Sequence, residues 1–351
     1  MNGHEGIVRM LLQRNDVDPN IADTQYGRTP LWWAAGNGHE RVVKILLRRY
    51  DVNPDMPDTE SGRTPLLWAV KNQHEGVVMV LLERKDFNPD TADKEYGQTL
   101  LLWAAGNGHE AVAKVLLKRS GVNPDIVDKE YDQTLFLWAA ENGHEAVVKV
   151  LLERSGINPD VADTEYGRTP LSWAAKNGHE GIVKMLLERN DVNPNIADRQ
   201  YGLTPLGWAA GNGHERIVKM LLRRYDVNPD MPDTESGRTQ LSWAVKNQHE
   251  GVVRVFLKRY DVNPNTADKG YGRTPLSWAA ESGHEGIVKA LLRQSDANPD
   301  TPDIESGQTP LLWAIKNGHK RVVRIILEHN KYQSLQARRL CGGLLSRAAG
   351  N

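Results

Sequence analysis

The chain is 351 residues long, with 25% charged residues, 39% apolar residues and a formal net charge of −1. That balance excludes wholesale disorder and any overall electrostatic pull toward nucleic acid or anionic membranes. A single cysteine, Cys341, excludes an intrachain disulfide framework, and no apolar run approaches the ~20 residues of a membrane span.

The N-terminus, Met1-Asn2-Gly3-His4-Glu5, lacks the basic-then-apolar pattern of a secretory signal, and no Asn-x-Ser/Thr sequon occurs in the chain. An intracellular protein, cytoplasmic or nuclear, is the expectation. His4-Glu5 opens a predicted helix with Ile7, Val8, Leu11 and Leu12 as its apolar stripe. No partner helix precedes it in this sequence, so the stripe is expected to lie partly bare. Either the chain is a fragment of a larger protein or something else caps that end.

The next predicted helix begins at Thr29-Pro30, a hydroxyl N-cap followed by Pro at the first helical position, where its missing N–H costs nothing. Leu31, Ala34, Ala35 and Gly38 follow at helical spacing, and their small size predicts close packing on a neighbour. Asn37-Gly38 ends this helix. A second helix is predicted from about His39 to Arg48, with Val42, Val43, Leu46 and Leu47 inward and Glu40, Arg41, Lys44 and Arg48 in water. Asp51, replaced by Gly121 and Gly156 in two later units, stands where a left-handed cap residue is expected. Asn53-Pro54 forbids further helix, and Asp55 to Gly62 reads as an extended loop with turn chemistry at Asp58 and Ser61-Gly62.

This unit recurs. Ten histidines from His4 to His319 and nine tryptophans from Trp33 to Trp313 step by 35 residues; only His329 and Trp32 stand outside the two ladders. Neither helix of a unit can bury its stripe alone, so the units must stack. Nine full copies after an N-terminal half copy predict an all-α repeat solenoid over residues 1–329, one continuous elongated domain of roughly 90–100 Å at ~10 Å per layer. Residues 330–351 break the repeat and read as a disordered or short capping tail.

The segment Gly-Arg-Thr-Pro-Leu-x-Trp-Ala-Ala-x-Asn-Gly-His-Glu-x-Val-Val-Lys-x-Leu-Leu resembles the ankyrin repeat, over about residues 2–329, and most of all the long arrays of fungal proteins. The resemblance implies stacked helix-turn-helix units joined by hairpin-like loops, and a protein-binding role through a concave groove and the hairpin fingertips. The chain departs from the family in three ways. Its unit has 35 residues instead of the usual 33, with a longer hairpin. The family's His after Thr-Pro-Leu is replaced by Trp32, Leu67, Leu102, Leu137, Ser172, Gly207, Ser242, Ser277 and Leu312. Leu100, Leu135 and Gln240 replace the helix-starting Pro, and Asp132 a hairpin Gly, which should weaken those units locally.

A second period of 175 residues marks a duplicated five-unit block. Residues 31–64 and 206–239 differ at only three positions, Trp32/Gly207, Val42/Ile217 and Ile45/Met220. The first block therefore carries large apolar residues, Trp32, Leu67, Leu102 and Leu137, where the second carries Ser or Gly. An apolar partner-binding strip there, with Trp32 as the aromatic anchor, is one expectation; a half-buried position that repacks is the competing one. Lys71 and Glu141 sit one turn on, facing the groove. Gln25, Glu60, Glu95 and Glu130 mark the fingertips. Arg28, Arg63, Gln98 and Leu203 follow the hairpin glycine or its replacement.

No catalytic constellation emerges. His-Glu recurs, but the second His that a zinc protease needs four residues on is Val43 or Val78, and ladder histidines a layer apart cannot share a zinc. A structural role at the turn between helices is expected for them. Gly36-Asn37-Gly38 lacks the third glycine of a nucleotide fingerprint. The acidic hairpins, such as Asp55, Asp58 and Glu60, lack the spacing of a calcium loop, and Asp58 and its counterparts read as turn-formers. The tryptophans are expected to form a stacked ladder between units. With acidic fingertips and basic second helices (Lys44, Arg48, Arg49, Lys219), the expectation is a monomeric, non-catalytic protein-binding scaffold. It has a protein partner, no cofactor, no nucleic acid and no membrane span. The alternative is a ligand-sensing or autoregulatory segment of a larger receptor or enzyme.

Overall fold

The structure is a computed structural model and describes residues 3–84, 100–117, 134–154, 156–294 and 297–331. Contacts gather the chain into two units, Met1–Glu165 and Tyr166–Asn351. In the first lie α1 (Glu5–Leu12), α2 (Pro30–Gly36), α3 (Glu40–Leu46), α4 (Pro65–Lys71), α5 (Glu75–Leu82), α6 (Leu100–Gly106), α7 (Glu110–Leu117), α8 (Leu135–Asn142) and α9 (Glu145–Leu152). In the second lie α10 (Pro170–Asn177), α11 (Glu180–Leu187), α12 (Pro205–Gly211), α13 (Glu215–Leu221), α14 (Gln240–Lys246), α15 (Glu250–Phe256), α16 (Pro275–Ser282), α17 (Glu285–Leu292), α18 (Pro310–Lys316) and α19 (residues 320–331). No β-strand occurs among the described residues. Within each unit the even-numbered helices pack on one another in sequence order, and so do the odd-numbered ones, which makes each unit an all-α repeat stack.

Local chemistry explains each helix. Thr29, Thr64, Thr169, Thr204, Thr274 and Thr309 hold extended backbone, accept the N–H three residues on, and precede a Pro at the first helical position. The Pro-less helices α8 and α14 form on the same threonine cap, through Thr134 and Thr239. A left-handed residue then turns the chain: Gly38, Gly143, Gly178 and Gly213 have φ between +73° and +83°. In two repeats a glutamine does this instead, Gln73 at φ +61° and Gln248 at +67°.

Two details correct the sequence reading. Asp51 is not left-handed, since Gln73 and Gln248 are the positive-φ non-glycine residues among those described. The second helix closes instead on Leu47, whose N–H reaches the Val43 carbonyl, while the Asp51 carboxylate accepts from Arg49 Nε at 2.9 Å. Gly156, at φ +90°, does adopt the expected form. Further, Ile45 joins Val42, Val43 and Leu46 in the core, whereas Leu47 is half-exposed. The stripe of α1 is partly bare, with Ile7, Met10 and Leu11 about half exposed or more.

The histidine ladder joins the layers. Nε2 of His74, His144, His214, His249 and His319 lies 2.8–3.1 Å from a main-chain carbonyl 38 residues earlier, at Gly36, Gly106, Lys176, Gly211 and Glu281. A carbonyl only accepts, so Nε2 carries the proton. The ring also lies against the left-handed glycine of the previous layer: a Cβ on Gly38 would stand 2.8 Å from His74 Nδ1.

Candidate functional site

Within each unit the hairpins and the even-numbered helices share one face, and its chemistry starts at a loop aspartate. In the hairpin, the N–H of Asp58 meets the Arg63 carbonyl at 3.0 Å and Gly62 N–H returns to the Asp58 carbonyl at 3.2 Å. The tight loop drives the carboxylate inward. Asp58, Asp163, Asp198, Asp233, Asp268 and Asp303 are buried. Their oxygens accept loop N–H groups, such as Tyr201 on Asp198 at 2.7 Å and Tyr271 on Asp268 at 2.7 Å. They also hold the ladder tryptophan ten residues on. Indole Nε1 donates to Asp23, Asp198, Asp233, Asp268 and Asp303 at 2.7–2.9 Å. These donors set the protonation balance. The Tyr26 N–H holds Asp23 below the ordinary aspartate range. Burial pushes Asp233 and Asp303 up, but the Ser236 or Ser306 groups and the indole N–H outweigh it and leave both carboxyls lowered.

The indoles so fixed are half-buried at Trp33, Trp68, Trp103, Trp138, Trp208, Trp243 and Trp278, leaving aromatic surface open along this face. Cations cover much of it. Arg168 stands over Trp173 at 4.7 Å and over Trp208 of the next layer at 4.5 Å. Arg273 does the same over Trp278 and Trp313, at 4.8 and 3.9 Å. Lys71, Lys176, Lys246 and Lys316 lie 4.5–5.2 Å from the ring of their own layer. Burial, and then the Arg238 charge, lower the pKa of Lys246. The arginines reach onward to the next loop aspartate, Arg168 to Asp198 at 3.8 Å and Arg238 to Asp268 at 3.7 Å. A column of carboxylate, indole and guanidinium results, and the order of its parts corrects one expectation. The indoles are in register, but between the ladder tryptophans Trp173 and Trp208, Trp243 and Trp278, and Trp278 and Trp313 the layer is filled by arginine. Direct stacking is seen where Trp32 adds an extra ring: it lies on Trp68 with centroids 5.2 Å apart and planes at 29°.

The apolar strip is also corrected. Trp32, Leu67, Leu102 and Leu137 are each 1% exposed. They occupy the third position of their helices, which points into the core, and Trp32 spends its Nε1 donor on the Arg63 carbonyl at 3.2 Å. Trp32 is therefore no surface anchor. The serines at this position are buried as well, each with its hydroxyl 3.1–3.2 Å from the capping threonine hydroxyl, as in Ser172 with Thr169 and Ser242 with Thr239. Arg63 is buried too, at 4% exposure, and is not a contact residue. Gln25, Glu60 and Lys71 are exposed; Arg28 and Glu141 are half-buried, and Arg28 pairs with Glu60 of the next hairpin at 3.2 Å. Glu95, Gln98 and Glu130, with Asp132, Gly121 and Cys341, lie outside the described residues.

Sequence reading missed Lys176, Lys246 and Lys316, which share the register of Lys71, and the exposed asparagines Asn37, Asn72, Asn107, Asn142, Asn177, Asn212 and Asn247 beside them. The 35-residue step carries both signals. The odd-numbered helices carry basic residues outward, and Arg41, Arg216 and Arg321 each meet a glutamate of the preceding repeat at 3.3–3.6 Å.

A family model described as ankyrin repeats, in three copies, matches residues 1–58, 50–128, 101–198, 190–268 and 260–337. The chain belongs to the ankyrin-repeat family. Ankyrin repeats are in general protein-interaction modules and typically lack catalytic activity. No curated protein matches the chain. Among the described residues, no helix of this ankyrin array is long and apolar enough to cross a membrane, and no group of three His, Cys, Asp or Glu is placed to hold a metal.

Proposed function

We propose that this ankyrin array is a non-catalytic binding module that holds a protein partner against the face that the hairpins and even-numbered helices share within a unit. The observation that carries the reading is the half-open row of indoles, fixed by buried aspartates and bordered by exposed asparagines and lysines. Rigid aromatic surface with polar neighbours is the composition of protein-binding hot spots. The hairpins add Gln25, Glu60 and Glu235, all exposed, so a partner with basic character is favoured and steered. On the second helices the exposed charges pair within a helix, as Lys44 with Glu40 and Lys219 with Glu215, or with the preceding repeat, as Arg216 with Glu180.

The test is selection of binding peptides from a displayed library on the full chain, followed by affinity measurement on two variants. One carries Asn107→Arg and Asn212→Arg on the proposed face. The other carries Lys44→Ala and Lys219→Ala on the second helices. A loss of tenfold or more for the first and less than twofold for the second is expected. The reverse pattern would place binding on the second helices and reject the reading.

A further inference from the structure

Between successive ladder tryptophans of the second unit the chain inserts its own cation, with one exception. Arg168 and Lys176 fill the layer between Trp173 and Trp208, Arg238 and Lys246 the layer between Trp243 and Trp278, and Arg273 the layer between Trp278 and Trp313. In the layer between Trp208 and Trp243 the two cation positions are Leu203 and Gly211. A cavity of about 320 Å³ opens there, lined by Tyr201, Leu203, Gly207, Trp208, Gly211 and Trp243. Its size is at the small end of ligand pockets, ~300–1,000 Å³, which suits one side chain. The space is open on the groove side: a Cβ on Gly211 would meet nothing nearer than Asn247 Nδ2 at 3.8 Å. The same Cβ on its duplicate, Gly36, would overlap Trp68.

The groups that answer an arginine elsewhere are still in place. Asp198, Asp268 and Asp303 lie 3.7–4.0 Å from the Nε of Arg168, Arg238 and Arg273 of the preceding layer. The equivalent carboxylate here is Asp233, 2% exposed, with no ion pair among the described residues. Glu60 pairs with Arg28, but its duplicate Glu235 is exposed and has Leu203 at the arginine's position. Trp243 donates its N–H to Asp233 at 2.9 Å, which enriches the ring electronically for a cation above it. Asn212 and Asn247, which also line the cavity, each donate from Nδ2 to a main-chain carbonyl, at 2.9 and 2.7 Å.

We propose that this cavity is a seat for an arginine side chain of a partner polypeptide, whose guanidinium enters between Trp208 and Trp243 over the Asp233 and Glu235 carboxylates. A planar guanidinium stacks on indole and donates in its plane, which a lysine ammonium cannot match. The partner thus completes the column that the chain completes for itself in the neighbouring layers. The inference rests on the groove reading above, and the two fail separately. Library peptides that bind the groove without an arginine would reject the seat alone.

The experiment is an NMR titration of the full chain carrying ¹⁵N-labelled tryptophan with N-acetyl-arginine amide, the indole signals of Trp208 and Trp243 being assigned through Trp208→Phe and Trp243→Phe. Saturable shifts of those two signals are expected. The neutral isostere N-acetyl-citrulline amide should produce shifts at least tenfold smaller at equal concentration. Leu203→Arg, which restores the residue found at this position in other layers, should abolish the response while keeping the other indole signals dispersed. Should that variant lose its dispersion, Gly211→Lys fills the seat from the other side and takes its place. No saturable shift of Trp208 and Trp243, an equal response to the citrulline amide, or an undiminished response in the filled variant each overturns the proposal.

Discussion

Residues 26–64 and 201–239 differ at four positions, Arg28/Leu203, Trp32/Gly207, Val42/Ile217 and Ile45/Met220, and they diverge in what they leave open. In the first copy Trp32 is buried on Trp68, and Arg28 lies 4.2 Å from the rings of Tyr26 and Trp32 and pairs with Glu60. In the second, the indoles and carboxylates stay in place but the filling is gone, and a cavity of about 320 Å³ results. The comparison teaches that the frame of a layer and its occupancy are encoded by different residues. The threonine cap, loop aspartate, ladder tryptophan and histidine build the frame, and two further side chains decide whether it is closed.

The largest test of that division is Arg28→Leu combined with Trp32→Gly. It should copy the open state into the first unit at a cost of roughly 3–5 kcal/mol, the range for truncating a buried large aromatic. Denaturant melts followed in parallel with Trp68 fluorescence would show it, and a loss below about 1 kcal/mol would mean that the first copy relaxes to fill the space. Frame residues come next. Asp233→Asn removes acceptors used by Trp243 and the Ser236 loop and should cost about 1–3 kcal/mol. The depressed carboxyls of Asp233 and Asp303 contribute stability that is fully present above the unfolded aspartate pKa of about 4. It is lost as pH falls from there through their lower folded values. Thermal melts of wild type between pH 5 and 3 should therefore decline more steeply than those of the Asn variant.

Closing the second copy is the converse experiment. Leu203→Arg with Gly207→Trp should raise stability by about 1–2 kcal/mol, as cavity-filling changes do when the shape already fits. A drop would show that Ile217 and Met220 have already repacked the layer against it. The smallest effect is one both copies should share. Gln73→Gly and Gln248→Gly each relieve a left-handed non-glycine residue, and each should gain about 1 kcal/mol. Unequal gains would expose a difference between the copies in the turn between helices.

The frame was legible in the sequence because each of its parts has a local cause repeated in register. A threonine before proline, an apolar pair every turn and a glycine after asparagine mean the same thing wherever they stand. Occupancy was less legible, because burial depends on the rotation of a short helix, which a difference of one residue reverses. Trp32 and its counterparts read either as a groove strip or as a half-buried position that repacks, and the third helical position points inward. The loop aspartates read correctly as turn-formers, but their grip on an indole ten residues on required the folded hairpin. Arg63 reads as a surface residue, but it is buried with its guanidinium 5.5 Å from the Trp68 ring, a neighbour that no single-residue preference reveals.

The histidine joints have a consequence for how such a chain can change over time. Five joints, at His74, His144, His214, His249 and His319, use the same donor and an acceptor 38 residues upstream, so cutting out or copying whole multiples of 35 residues can return such a histidine to an equivalent carbonyl. Recombination between copies can thus alter length without redesigning an interface, while the character of any one layer turns on a couple of codons. Length and selectivity become separately heritable traits of the same molecule.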